Sequence, residues 1–385
     1  MKLYLDNAAT SYPKPACVIN AVNDYFYNIG VNSGRSGYEN SIKGNRLIYS
    51  TRENICSLFN FEKPSNVIFT QNVTASLNIL LKSTIKDNWG VLTTSMEHNS
   101  VLRPLTALEK SRNIKLNILY CEKDGKLNIE KLKSSINSET KLLVMSISSN
   151  VVGTIQDIEE IGRICKSNNI IFILDAAQGA GFLNIDFKKM NLSALAFTGH
   201  KGLMGPQGTG GFIISDELNA VSSTFMEGGT GSYSESLIQP DILPDKFEAG
   251  TLNSFGLAGL NAAINFIKST GINNIREKEE YISKIFLEEL SNMDNLIIYG
   301  PKDSKLITSV ISIGSDKVDP SELCYILDEN YGIMTRCGLH CAPLAHQTIG
   351  SFPSGTVRFS IGYFNDLSDI NYTVSTLNKI LKGCD

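Results

Sequence analysis

The chain has 385 residues, 42% hydrophobic and 19% charged, enough apolar side chain for two or three packed units of about 100–200 residues each and too much for a disordered polypeptide. Lys and Arg number 35 against 39 Asp and Glu, a net charge of −4, so there is no basic excess for a phosphate backbone and nucleic acid is not an expected partner. No apolar run approaches the roughly 18 residues of a membrane span, Asp6 interrupts any signal-like start, and the eight cysteines are scattered, so the expectation is a soluble, reduced, cytoplasmic globular protein with no membrane partner.

Between residues 50 and 215, short β-rich runs alternate with amphipathic stretches. Strands are predicted at 66–70, 89–94, 115–120, 142–148, 170–174, 194–197 and 211–214, with helices at 74–82, 100–110, 129–136 and 158–167. Such alternation implies right-handed crossovers and an α/β fold with a mainly parallel sheet covered on both faces. Ligands of such sheets sit beyond the carboxyl ends of the strands. Residues 227–245 read as a long loop, followed by helices at 254–268 and 274–292. The last ninety residues read as a second α/β unit with strands at 296–299, 309–313, 333–336 and 356–361 and a closing helix at 368–382, so the boundary falls near 254–275.

The residues after the strands carry the chemistry. Gln71-Asn-Val73-Thr74-Ala-Ser76 opens a helix whose free N–H groups and hydroxyl suit a phosphate, the alternative being simple N-capping. His98, in Ser95-Met-Glu-His98, suits stacking on a flat ring or moving a proton near neutral pH. Asn150, in Ser148-Ser-Asn150, can donate to a carboxylate or a phenolic oxygen. Asp175 ends a wholly apolar strand, a costly place for an acid unless a cation or ring N–H meets it, with Gln178 within one turn; an ordinary helix cap is the alternative. Lys201, in Thr198-Gly-His200-Lys201-Gly, stands where burial and neighbouring cations lower an amine's pKa and make it a carbonyl-capturing nucleophile, against the alternative of a glycine-rich turn with an exposed lysine. In Arg336-Cys337-Gly-Leu-His340-Cys341-Ala-Pro343, with His346 beyond, a cysteine beside histidine and arginine is placed for nucleophilic work. Cys337, His340, Cys341 and His346 also read as zinc ligands, although structural zinc sites draw on separated ligand pairs rather than one ten-residue loop, and no metal is expected. Arg358, alternating with apolar neighbours, suits a bidentate grip on a carboxylate or a structural ion pair.

In this order, and together with Tyr4-Leu-Asp-Asn-Ala-Ala-Thr10, Phe247-Glu-Ala-Gly-Thr251 and Arg358-Phe-Ser-Ile-Gly-Tyr-Phe364, these segments resemble the class V aminotransferase-like, fold-type I pyridoxal-phosphate enzymes almost end to end. The short Arg336-x-Gly-x-His-Cys-Ala loop is similar to that of the SufS-like second group of the cysteine desulfurase and selenocysteine lyase branch. The resemblance implies a large pyridoxal-phosphate-binding domain over 14–260 with a mainly parallel seven-stranded sheet, and a small α/β domain over 1–13 and 261–385 that carries the cysteine loop. It implies that Lys201 binds pyridoxal 5'-phosphate covalently, Asp175 pairs with the ring nitrogen, Gln178 and Asn150 meet the ring oxygen and substrate, and His98 stacks on the ring. Val73, Thr74, Thr198 and His200 would hold the phosphate, with Thr251 reaching in from a second subunit of a homodimer. Asn150 and Arg358 would orient the substrate carboxylate, with Arg35 nearby, and Cys341 would accept sulfur.

The implied activity is conversion of L-cysteine to L-alanine with a persulfide on Cys341, passed on to a sulfur-acceptor protein. The alternatives are a selenocysteine lyase, an aminotransferase-type enzyme in which Cys341 is incidental, and a non-catalytic, zinc-holding scaffold. The chain departs from the family pattern at Cys337 and Leu339, where Thr and His are common, at Gly34 before Arg35, and after Thr74, where an acid is common. Cys337 is either a packing thiol or a partner for Cys341.

Overall fold

Apolar runs that end in polar turns become buried strands in the computed structural model, which describes residues 2–33 and 36–382. The chain begins with β1 (Leu3–Tyr4), α1 (Ala16–Asp24) and α2 (Glu39–Leu58). Strands β2 (Val67–Thr70), β3 (Gly90–Thr94), β4 (Lys115–Leu119), β5 (Thr140–Ser146), β6 (Ile171–Asp175), β7 (Ala194–Thr198) and β8 (Gly210–Ile214) form a seven-stranded sheet in the order β2-β8-β7-β6-β5-β3-β4. Neighbours from β7 through to β4 are parallel, and β8 runs antiparallel to both of its partners. The mainly parallel α/β sheet expected from the sequence is the one observed.

The alternating side chains of a strand point to opposite faces, and here both faces are covered. Leu143 and Met145 of β5, Phe172 and Leu174 of β6, and Leu195 and Phe197 of β7 pack into one apolar cluster. Their neighbours Leu142, Val144, Ile173, Ala194 and Ala196 pack into another, beneath α3 (Val73–Thr84) and α4 (Asn99–Arg112). The crossovers also include α5 (Ile129–Ser135) and α6 (Ile158–Ser167), and α7 (Asp216–Val221) follows β8. Residues 227–245 contain no helix or strand, as expected. The helix α8 (Ser254–Thr270) then lays Leu257, Leu260, Ile264 and Ile267 into the first cluster.

The remaining chain forms α9 (Ile272–Ser291), β9 (Leu296–Tyr299), β10 (Val310–Ser315), α10 (Pro320–Glu329), β11 (Ile333–Met334), β12 (Arg336–Gly338), α11 (Pro343–Ile349), β13 (Thr356–Ser360) and α12 (Leu367–Lys382). A four-stranded sheet is ordered β12-β13-β10-β9, with every pair antiparallel. The single strand expected at 333–336 is instead two: β11 pairs with β1, and β12 pairs with β13. The chain changes partner at Thr335, and this turns Arg336 across from Arg358. A third apolar cluster joins Leu3 and Leu5 to residues between Ile282 and Leu381, so the first strand packs with the last hundred residues.

One buried ion pair anchors the Phe247–Thr251 segment to the large sheet. Arg52 grips Glu248 with both terminal nitrogens, at 3.0 and 2.6 Å, and also donates to the Val67 carbonyl. Glu248 in turn accepts from the Phe69 amide at 2.6 Å, and the guanidinium lies 4.6 Å from the Phe69 ring centroid. Removing one partner strands the other charge in an apolar setting. Arg52→Ala is expected to lower the unfolding free energy by about 3–5 kcal/mol, read from urea denaturation; a loss near zero would mean that water reaches the pair.

Candidate active site

The carboxyl ends of β3, β5, β6 and β7 surround a cavity of about 290 Å³, near the lower end of small-ligand pockets. Lys201 enters it from the turn after β7. That turn is set by close backbone approach: Gly181 has φ +84°, and a Cβ there would lie 2.3 Å from the Gly202 carbonyl oxygen. The N-terminal segment pins the same turn from the other side. The His200 carbonyl accepts from the Ser11 amide at 2.9 Å, the Thr10 hydroxyl at 3.0 Å and Lys14 Nζ at 2.8 Å. Burial pulls the Lys201 amine down to about 8; Asp175 and Asp6 oppose that fall, and Arg358 and Arg336 reinforce it.

Asp175, the last residue of β6, is 3% exposed and accepts the Ala177 amide at 2.9 Å. Burial raises its pKa, with the Ala177 N–H and Lys201 pulling the other way. Gln178 follows on the cavity wall, where its side-chain amide donates to the Ala8 carbonyl at 3.1 Å. His98 caps α4: its Nδ1 accepts the Ser100 amide at 3.0 Å, which leaves the ring proton on Nε2. Burial first, then Lys201, Arg336, Arg103 and Arg358, takes this imidazole down to about 4, so it is neutral at pH 7.

At the far wall, Asn72, Val73 and Thr74 present the start of α3 to the cavity, where a helix has free N–H groups. Beside them, Thr198 Oγ1 and His200 Nδ1 are buried and have no hydrogen-bond partner among the described residues. Buried polar atoms are rarely left unpaired, so these two mark the place of an acceptor-rich group.

The opposite wall comes from the second sheet. Arg358, on β13 and 2% exposed, donates to the Asn150 carbonyl at 3.0 Å and to Asp6 at 2.7 Å, while its Nε has no partner among the described residues. Asn150 uses its side-chain amide to hold the His340 carbonyl at 2.8 Å. His340 and Cys341 have φ of +46° and +58°, a left-handed pair that costs about 1–2 kcal/mol per residue in ordinary chain. The turn is kept there by that Asn150 bond, by the Asn99 amide on the Cys341 carbonyl at 2.8 Å and by His340 Nε2 against the Thr356 hydroxyl at 2.9 Å. It presents the exposed Cys341 to the cavity, and Arg336 Nη2 donates to Sγ at 3.9 Å.

Lys201, Asp175 and Cys341 therefore share one cavity with Val73, Thr74, His98, Asn150, Gln178, Thr198, His200, His340 and Arg358, while Thr251, Cys337 and His346 are not part of its lining. Thr251 is exposed and lines a separate cavity with Glu248 and Asn253, and Arg35 lies outside the described residues. The Cys337 thiol lies beside that of Cys324. Among the described residues no three His, Cys, Asp or Glu are grouped to hold a metal ion, and no helix is long and apolar enough to cross a membrane. Arg336, Ser146 and Ser148 line the cavity without having been singled out as site residues. Arg336 is the one the sequence hinted at, by lying five residues before Cys341, but its cross-strand pairing with Arg358 depends on register.

A family model described as aminotransferase class-V matches residues 3–373. A probable cysteine desulfurase of Methanothermobacter thermautotrophicus is 31% identical over 98% of this chain and 94% of its own length, and one of Pyrococcus abyssi is 32% identical over 99% and 94%. Among solved structures, an apo cysteine desulfurase from Thermococcus onnurineus NA1 superposes with a TM-score of 0.90 at 30% identity, covering 99% of this chain and 95% of that one.

An amine lowered to about 8 is unprotonated in about one molecule in ten at pH 7, far above an ordinary lysine. Trapping a small aldehyde with cyanoborohydride at pH 7 is expected to label Lys201 ahead of the exposed lysines, with the rate levelling off above about pH 8. Labelling of Lys201 no faster than of the surface lysines would refute the buried, low-pKa amine.

Proposed function

This chain belongs to the aminotransferase class-V family, and from that membership we propose that it is a pyridoxal-phosphate-dependent cysteine desulfurase, turning L-cysteine into L-alanine and keeping the sulfur as a persulfide on Cys341. The observation that carries the proposal is a lysine of lowered pKa and an exposed cysteine lining one cavity while 140 residues apart in the chain.

The cavity suits the cofactor. The unpartnered Thr198 Oγ1 and His200 Nδ1 stand beside the start of α3, a donor-rich corner for a phosphate held further by Val73 and Thr74. Asp175 is a buried acid that a cationic ring nitrogen would satisfy, Gln178 and Asn150 lie where ring substituents would be met, and His98 offers a neutral ring for stacking. Lys201 is the residue for covalent attachment. When bound, pyridoxal phosphate supplies an electron sink that stabilises negative charge at the substrate α-carbon.

The protein's own groups do the rest. Arg358 and Asn150 bind the substrate carboxylate, with Arg358 Nε as an unused donor. Asp175 keeps a negative charge opposite the ring nitrogen. Lys201 Nζ takes the α-proton, a task suited to an amine whose pKa is near 8. Cys341 Sγ, oriented by Arg336, attacks the substrate sulfur. An S–S bond forms, the substrate C–S bond breaks with its electron pair left on carbon, and protonation of that carbon gives alanine. We read residues 14–260 as the cofactor-binding unit and 1–13 with 261–385 as the unit that delivers Cys341 and Arg358. Thr251, exposed in the single chain, is assigned to the phosphate site of the second subunit of a homodimer. A sulfur-acceptor protein would take the persulfide from the exposed Cys341.

With pyridoxal phosphate added, the protein is expected to release alanine from L-cysteine and to carry a persulfide, detectable by intact mass. Lys201→Ala should lose at least about 10³-fold in kcat, the scale for removing a catalytic base and the covalent anchor together. Cys341→Ala should lose alanine formation from cysteine. Retention of full activity by Cys341→Ala on selenocysteine alone would assign a selenocysteine lyase, and alanine release by Lys201→Ala at the normal rate would refute the mechanism.

A further inference from the structure

Glu97 stands immediately before His98 and is 1% exposed. Its Oε1 meets the Thr94 hydroxyl at 2.6 Å, and its Oε2 accepts both the amide and the hydroxyl of Ser146 at 2.8 Å. Thr94 ends β3 and Ser146 ends β5, so one carboxyl group ties the tips of two neighbouring parallel strands. Ser146 is in register with Asp175 at the tip of β6, and Ser146 and Asp175 both line the cavity. Glu97 thus clamps the strand tip next to the acid assigned to the cofactor and fixes the turn that carries His98.

The titratable groups facing Glu97 are Asp175 from β6 and Cys121 from the segment after β4; its hydrogen-bond partners are the hydroxyls of Thr94 and Ser146 and the Ser146 amide. Among the described residues it has no salt-bridge partner. Burial, opposed by the Thr94 and Ser146 hydroxyls and reinforced by Asp175, raises its carboxyl to about 7, and Cys121 is raised by burial to about 12 and stays a thiol. Two buried carboxyl groups that feel each other's charge do not both ionise readily. A cation opposite Asp175 settles which of the two holds the charge.

We propose that Glu97 is a positioning residue that works uncharged, with its proton on Oε1 donated to the Thr94 hydroxyl oxygen and Oε2 still accepting from Ser146: it locks the His98 turn onto the sheet and leaves the negative charge of the strand edge on Asp175. The proposal rests on the reading of Asp175 as the partner of the cofactor ring nitrogen. Because a neutral amide can replace a protonated carboxyl in this hydrogen-bond pattern, Glu97→Gln separates the charge from the clamp, and Glu97→Ala removes the clamp.

The test compares pyridoxal phosphate binding, by visible absorption, and thermal midpoints across pH for the wild type and both variants. Glu97→Gln is expected to bind the cofactor within about threefold of wild type and Glu97→Ala at least about tenfold more weakly, the effect of unpairing buried hydroxyls and amide. The folded state favours the protonated Glu97, so its stabilisation is complete below the ordinary value of 4.5 and is lost as pH rises through about 7. Glu97→Gln escapes that loss, and its thermal midpoint should gain on wild type between pH 5 and about 8. Binding by Glu97→Gln as weak as by Glu97→Ala would show that a carboxylate is needed, and a midpoint difference flat with pH would show that Glu97 does not titrate; either overturns the proposal. Wild type that fails to take up pyridoxal phosphate would instead overturn the cofactor reading itself.

Discussion

The site depends on one buried guanidinium. Arg358 joins three distant segments: it donates to Asp6 near the start of the chain, to the Asn150 carbonyl after β5, and it stands on β13 opposite Arg336. A buried cation is tolerable only when paired, and the pairing is possible only if the N-terminal segment, the large sheet and the small sheet meet at this point. The Asn150 side chain extends the chain of contacts to His340, and through it to Cys341. The thiol's place is therefore tied to the same interaction that would orient a substrate carboxylate.

Around that anchor the cavity carries Lys201, Arg336 and Arg358 against Asp175, a positive balance that favours ligands with phosphate and carboxylate groups. Burial, reinforced by the neighbouring cations, keeps His98 neutral and lowers the Lys201 amine. An imidazole without charge can lie against a flat ring, and an amine near neutrality can attack a carbonyl and accept a proton. One arrangement of charges thus prepares both groups for different tasks.

Most strands of the large sheet are legible because their apolar runs end in polar turns, while β4, Lys115–Leu119, shows instead a strand's alternation of polar and apolar residues. Asp175 stood out for the same reason, as an acid closing a run of apolar residues. Glu97 did not, since it lies in a polar turn where an acid needs no explanation until its burial is known. The early helices α1 and α2 were not predicted: α2 holds polar residues such as Arg52 and Ser41 at buried positions, which blurs the helical period. Residues 333–336 read as one strand because the β-rich run is continuous, and only the partners available on either side divide it at Thr335.

The sequence by itself determined the fold class, most strands of the large sheet and a set of polar residues after them, because periodicity and turn chemistry are local properties; the roles of those residues came from the family resemblance. Tertiary structure alone decided that Arg358 is paired with Asp6, that Thr251 lies outside the cavity in the single chain, and that Glu97 is buried beside Asp175. Those outcomes come from strand register and from contacts between segments hundreds of residues apart, where burial converts an ordinary side chain into one whose charge must be matched or removed.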